Sequence, residues 1–241
     1  TYEGANVINV RGASNIVKVK DATLKSLYPA NEVYYGACIW VLEENGSSVE
    51  ATGNTFNGDN AVAFNLGTGT DLTESNNTDN TTVVVAKVDG TYYTSVNEAI
   101  NAAADGATVQ LLSRTISEEI APWKTDTQHT TEKSITVKGY DNFGTTLTGG
   151  LYLGYDDSQC RNHTIVVEGI AFEGKGLTVA CQKNVTIKNN TFNNITDSRA
   201  IAVIGKDIEA TVENNKIDGV QLGIELRNMA VATMTGYEVK N

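Results

Sequence analysis

A six-residue pattern recurs along this chain and constrains its fold more than any other feature. It reads apolar, any, Asn/Gly/Asp, any, any, apolar. Ile187-Lys188-Asn189-Asn190-Thr191-Phe192 is one instance, and Val212-Glu213-Asn214-Asn215-Lys216-Ile217 is another. Val167 to Phe172, Ala51 to Phe56, Met234 to Val239 and Val19 to Leu24 repeat it with Gly169, Gly53, Gly236 and Asp21 in third place. Asn, Gly and Asp are the residues that tolerate a left-handed backbone. The signature therefore predicts strand, sharp bend, strand.

Two positions before each origin the residue is again small or apolar: Val185, Ala210, Ile165, Val49, Ala232 and Val17. That is a period of two, with one strand face turned inward. A second alternating run lies upstream, with inward pairs Leu151/Leu153, Leu177/Val179, Ile201/Val203, Ile224/Leu226 and Ile39/Val41. Each repeat thus holds about three short strands in roughly 20–30 residues, the period of stacked coils. Short strands and almost no helix predict an all-β chain, a parallel β-helix. The Leu and Asn consensus of leucine-rich repeats is absent.

One column tests the register. The outward position after each origin holds Lys138, Glu168, Lys188, Glu213 and Thr235 in successive coils. In-register strands lie about 4.8 Å apart, so like charges there would repel. These alternate in sign, as a structural ladder requires.

Residues 67–82 contain one aliphatic side chain, Leu72, and no aromatic, which reads as a linker or long loop. Beyond it, Ser95 and Glu98 form a capping box, Val96, Ala99, Ile100 and Ala103 an apolar stripe, and Gly106 a C-terminal stop. This predicts one short α-helix near residues 95–105, flat enough to cover the raw end of a coil stack. Tyr93, Ala99-Ile100, Ala103, Gly106, Thr108-Val109 and Leu111 resemble the N-terminal caps of right-handed β-helix proteins. The coils of 134–241, with their "NNTF" and "NNKI" turns, resemble the pectate-lyase-like superfamily and its bacterial surface or secreted relatives. That resemblance implies a right-handed parallel β-helix and three segments. Residues 1–66 are coils, either the end of a preceding unit or part of the same stack. Residues 67–87 are the linker, and 88–241 form a capped unit.

The chain has 241 residues and a formal charge of −11. The negative charge argues against a protein that tracks nucleic-acid phosphates or adheres to an anionic membrane. No apolar run approaches the roughly 18 residues of a membrane span, so no membrane insertion is expected. The chain opens at Thr1 without Met or signal peptide, as a processed protein or a piece of a longer one would. Cys38, Cys160 and Cys181 have no C-x-x-C spacing and read as buried small residues, with a Cys160–Cys181 disulfide as the alternative. His129 and His163 sit in polar surroundings, without the Cys–His arrangement of a catalytic thiol.

Enzymes of the superfamily work on the outside of the coils. Lyases need carboxylates for Ca²⁺ and an Arg or Lys base. Hydrolases need two or three carboxylates facing a groove. The outward positions of the second strand hold Trp40, Tyr152, Thr178, Ala202 and Glu225, which is not a catalytic column. The Gly-His-Gly and Arg-x-Lys motifs of pectinases are missing. The remaining candidates are Asp156, Asp157, Arg161 and His163 in the loop 154–163, where Asp156 and Asp157 could share a Ca²⁺. Asp197 and Arg199 read as a local pair. Trp40, Trp123, Tyr152 and Tyr155, with Tyr34 and Tyr35, could stack on the apolar faces of sugar rings. No cofactor beyond that Ca²⁺ is expected.

Two functions follow as expectations. The first is a non-catalytic module of a bacterial cell-surface or secreted protein, binding carbohydrate in adhesion or serving as a rigid spacer, with end-to-end contacts to neighbouring β-helix units. The second is a polysaccharide lyase or glycoside hydrolase using the 154–163 loop.

Overall fold

The computed structural model describes residues 1–241 except 13, 43–45, 122, 126–127, 130, 142, 155–160, 197, 237 and 241, and gives only the backbone for 123–125, 128–129, 228 and 238–240. The chain is all-β with a single described helix, and it divides into two compact units, Thr1–Val84 and Val85–Asn241.

In the first unit the strands visit three parallel sheets in strict rotation. Tyr2–Gly4, Thr23–Ser26, Thr55–Gly58 and Thr78–Thr81 form one. Asn6–Val10, Gly36–Val41 and Ala61–Leu66 form the second. Ile16–Lys20, Ser48–Thr52 and Asp71–Ser75 form the third. Inward side chains of all three, among them Leu24, Ile39, Val49 and Phe56, make one buried core. Cys38 lies in that core with its Sγ 3.6 Å from the carbonyls of Leu24 and Asn57, and burial pushes its thiol pKa up. It is a small buried residue, as expected, and a poor nucleophile.

The expected linker is corrected here. Asp71–Ser75 and Thr78–Thr81 are strands of the first unit, and the division between units falls after Val84. Both strands are almost wholly solvent-exposed, so no apolar alternation marks them. Hydrogen bonds to the preceding coil hold them instead. Asn77 Oδ1 accepts from the backbone N–H of Asn54 at 2.9 Å, and Asn80 Nδ2 donates to Asn57 Oδ1 at 3.1 Å.

The second unit rotates in the same way. Ala107–Leu111, Ile135–Lys138, Arg161–Glu168 and Gln182–Lys188 pair in parallel, and the later halves of Arg199–Glu213 and Leu222–Thr235 continue the series. Thr115–Ile116, Thr146–Leu147, Ala171–Glu173, Thr191–Asn193, Lys216–Asp218 and Glu238–Lys240 form a second parallel sheet. Leu151–Gly154 pairs with Leu177–Ala180, which pairs with the early half of Arg199–Glu213 and through it with that of Leu222–Thr235, fusing this third path with the first into one ten-stranded sheet. That sheet is mixed, because Ala86–Val88 and Thr91–Tyr93 add antiparallel strands at its end. Parallel sheets visited in rotation are consistent with a β-helix-like fold.

The register is the one the repeat predicts. Val167, Ile187, Val212 and Met234 lie on one ladder, and Phe172, Phe192, Ile217 and Val239 on another. Leu151, Leu177, Ile201 and Ile224 form a third. Phe172 and Phe192 stack with ring centroids 4.7 Å apart. All six predicted bends have positive φ: Asp21, Gly53, Gly169, Asn189, Asn214 and Gly236. At Gly53 there is a second reason for glycine, since a Cβ would sit 2.5 Å from the Asp21 side chain of the neighbouring corner.

The second Asn of each pair has a separate task. Asn190 and Asn215 are fully buried. Asn190 Oδ1 accepts from Ile170 N–H at 3.0 Å, and its Nδ2 donates to Val167 O and Asn215 Oδ1 at 3.1 Å each. Asn215 Nδ2 donates to Ile187 O at 2.8 Å. The ladder satisfies corner backbone groups that would otherwise be buried without partners. The outward charge column is also present, with Lys188–Glu168 at 3.1 Å and Lys138–Glu168 at 3.9 Å.

The helix spans Val96–Ala102, shorter than expected because the chain turns at Ala103 and Gly106 serves the following turn. Val96, Ala99, Ile100 and Ala103 bury into the core of the second unit, as a cap must. Other coils hold its ends. Glu118 accepts from Val96 N–H at 2.7 Å and from Ser95 Oγ at 2.6 Å, while Lys133 Nζ donates to the carbonyls of Asn101 and Ala103 at 2.9 and 2.6 Å. An anion at the N-terminus and a cation at the C-terminus both oppose the helix dipole.

Candidate functional site

Strands Leu151–Gly154 and Leu177–Ala180 and the start of Arg199–Glu213 turn Leu151, Leu177 and Ile201 into the core. Their alternate residues therefore face out, and Tyr152, Thr178, Ala202 and Glu225 fall into one row across four coils. Beside this row lies a cleft of about 250 Å³. Tyr152, Thr178 and Ala202 form its floor, and Glu119, Lys175, Ser198 and Arg199 its sides. Lys175 and Ser198 come from the turns that precede two of these strands, and Arg199 is the first residue of its strand. Gly176 keeps one of those turns against its neighbour, since a Cβ there would collide with the Arg199 carbonyl.

Glu225 closes the row but is not a free acid. Arg199 Nε and Arg227 Nη2 both contact its carboxylate. The hydrogen bond from Arg227, with Arg199 adding to it, holds the Glu225 carboxyl below the usual carboxylate range. A general acid needs the opposite shift. Arg199 is thus anchored through its Nε to the next coil, and the expected local pair with Asp197 lies outside the described residues.

The other candidates separate. Tyr152 is half-buried on the cleft floor. Trp40 lies in the first unit, on a ladder between Asn9 and Asn65. Tyr34 and Tyr35 belong to that unit too and are 64% and 36% exposed. Tyr155, Asp156, Asp157 and Cys160 lie outside the described residues, and with them the Ca²⁺ pair and the disulfide. Arg161 and His163 are not loop residues, since they open the strand Arg161–Glu168, and neither lines the cleft. The backbone of Trp123 pairs with His129 in a short hairpin.

Lys175, Ser198 and Glu119 were missed as site residues because they sit in turns outside the repeat. Lys175 and Ser198 share a positional signal, since each precedes a strand whose alternate residues face outward, whereas Glu119 precedes Ile120, which bridges to Leu151. Among the described residues no cluster of three or more metal-ligating side chains occurs, and no helix is long and apolar enough to cross a membrane. No protein-family model matches the chain, and neither a curated protein nor a solved structure matches it.

Proposed function

We propose that the chain is a right-handed parallel β-helix of the pectate-lyase-like type, and that it binds a glycan without cleaving it. Rotation of strands among parallel sheets supports the β-helix, and parallel crossovers are right-handed in about 98% of cases. The observation that carries the function is the Tyr152 cleft. An aromatic floor beside hydroxyl, ammonium and guanidinium groups suits a sugar ring, which has apolar C–H faces and polar edges. Glu225, the acid of the outward row, serves as a salt-bridge anchor and supports binding over hydrolysis. This reading carries with it a cell-surface or extracellular location.

A polysaccharide panel, scored for both binding and turnover, tests the proposal. Binding that Tyr152→Ala removes, without release of product, is the expected result. Turnover lost in Asp157→Ala and Arg161→Ala would replace it with a lyase or hydrolase. Absence of both binding and turnover would leave the rigid spacer.

A further inference from the structure

The corner that joins the first and second strand paths of the second unit has two residues in three coils: 169–170, 189–190 and 214–215. In the coil between Ile135–Lys138 and Thr146–Leu147 the same corner runs over residues 139–145. The ladder position is kept, because the fully buried Thr145 donates its Oγ1 to Leu112 O at 2.7 Å and accepts from Tyr140 N–H at 2.8 Å. Among the inserted residues Asp141, Phe143 and Gly144 are exposed beside an intact corner. Phe143 is 41% exposed and has φ +69°. That backbone conformation is strongly disfavoured for an aromatic residue, and the core gains nothing from an exposed ring.

Phe143 and Asp141 line a cleft of about 450 Å³ together with Lys138, Glu168 and Asn189 of the stacked corners. Glu168 is engaged by two lysines. The Asp141 carboxylate and the Asn189 side-chain amide have no partner among the described residues, and the Phe143 ring packs on no other ring. Three uncommitted groups thus share one concavity: an acceptor, a donor–acceptor pair and an apolar ring.

We propose that this corner is a second ligand site, for a neutral saccharide. Vicinal hydroxyls donate to Asp141 and accept from Asn189, and the C–H face of the ring covers Phe143. The site uses no residue of the Tyr152 cleft and stands or falls apart from it.

The test is saturation-transfer NMR on the whole chain carrying Tyr152→Ala, with methyl glycosides of glucose, galactose, mannose and N-acetylglucosamine as probes. Tetramethylammonium represents the competing cationic class. At least one glycoside should show transfer, and Phe143→Gly and Asp141→Ala should each abolish it. Phe143→Gly should also keep or raise the thermal midpoint, because glycine relieves the backbone at that position. A merely structural Phe143 would instead lower the midpoint. Transfer to none of the glycosides, transfer unchanged in both variants, or transfer to tetramethylammonium alone would overturn the assignment.

Discussion

The corner at 189–190 and the corner at 139–145 occupy the same place in two nearby coils and do different work. In the first, Asn189 takes the left-handed bend and Asn190 disappears into a buried ladder. Stacking accounts for the polar groups there except the Asn189 side-chain amide, which lines the cleft of the 139–145 corner. In the second, Thr145 holds the ladder, and Asp141 and Phe143 are exposed with an unpartnered carboxylate and an uncovered phenyl ring. Where the sequence obeys the repeat it builds the stack, and where it departs from the repeat it supplies groups that stacking does not use. The Tyr152 cleft follows the same division, since Lys175 and Ser198 at its sides come from turns between the repeated strands.

Substitutions can break this comparison on either side. Phe192→Ala should have the largest effect. It empties a fully buried site stacked on Phe172 and should destabilise by about 4 kcal/mol, read as a lower urea midpoint. Asn190→Ala comes next, at about 3 kcal/mol, because the buried Ile170 N–H loses its acceptor and Val167 O a donor. If Asn190→Ala proved neutral, the ladder would be incidental and the paired asparagines would need another account. Lys188→Ala should cost only about 0.5 kcal/mol, with the loss shrinking at high salt, because its ion pair with Glu168 is partly exposed. None of the three should alter the saccharide response of a chain that still folds.

Much of this was legible before any coordinates. The left-handed bend admits few residue types, so Asn189, Asn214, Gly169 and Gly53 announce it. Register followed from the apolar positions around each bend and from alternating charge at Lys138, Glu168, Lys188 and Glu213. The partners of Asn190 were not legible, because the ladder joins residues 20 to 25 positions apart that only stacking brings together. The strands at 71–81 were missed for a different reason. Glu74-Ser75-Asn76-Asn77-Thr78-Asp79 has the corner pattern, and Asn76 has positive φ, but its two apolar positions hold acids. An exposed coil has little core to fill, so the apolar signal vanishes while the hydrogen-bonding signal survives. The contact of Arg199 with Glu225 was not legible, because Glu225 lies one coil away rather than nearby in sequence.

The most direct measurement replaces residues 139–145 with the two-residue corner Gly-Asn that the first unit uses at Gly53-Asn54, and follows both unfolding and glycan binding. The account predicts a folded chain with a urea midpoint at least as high as the parent's, loss of the saccharide response at the corner, and an unchanged response at the Tyr152 cleft. A chain that no longer folds, or one whose corner response persists, would contradict the division between residues that build the stack and residues that bind.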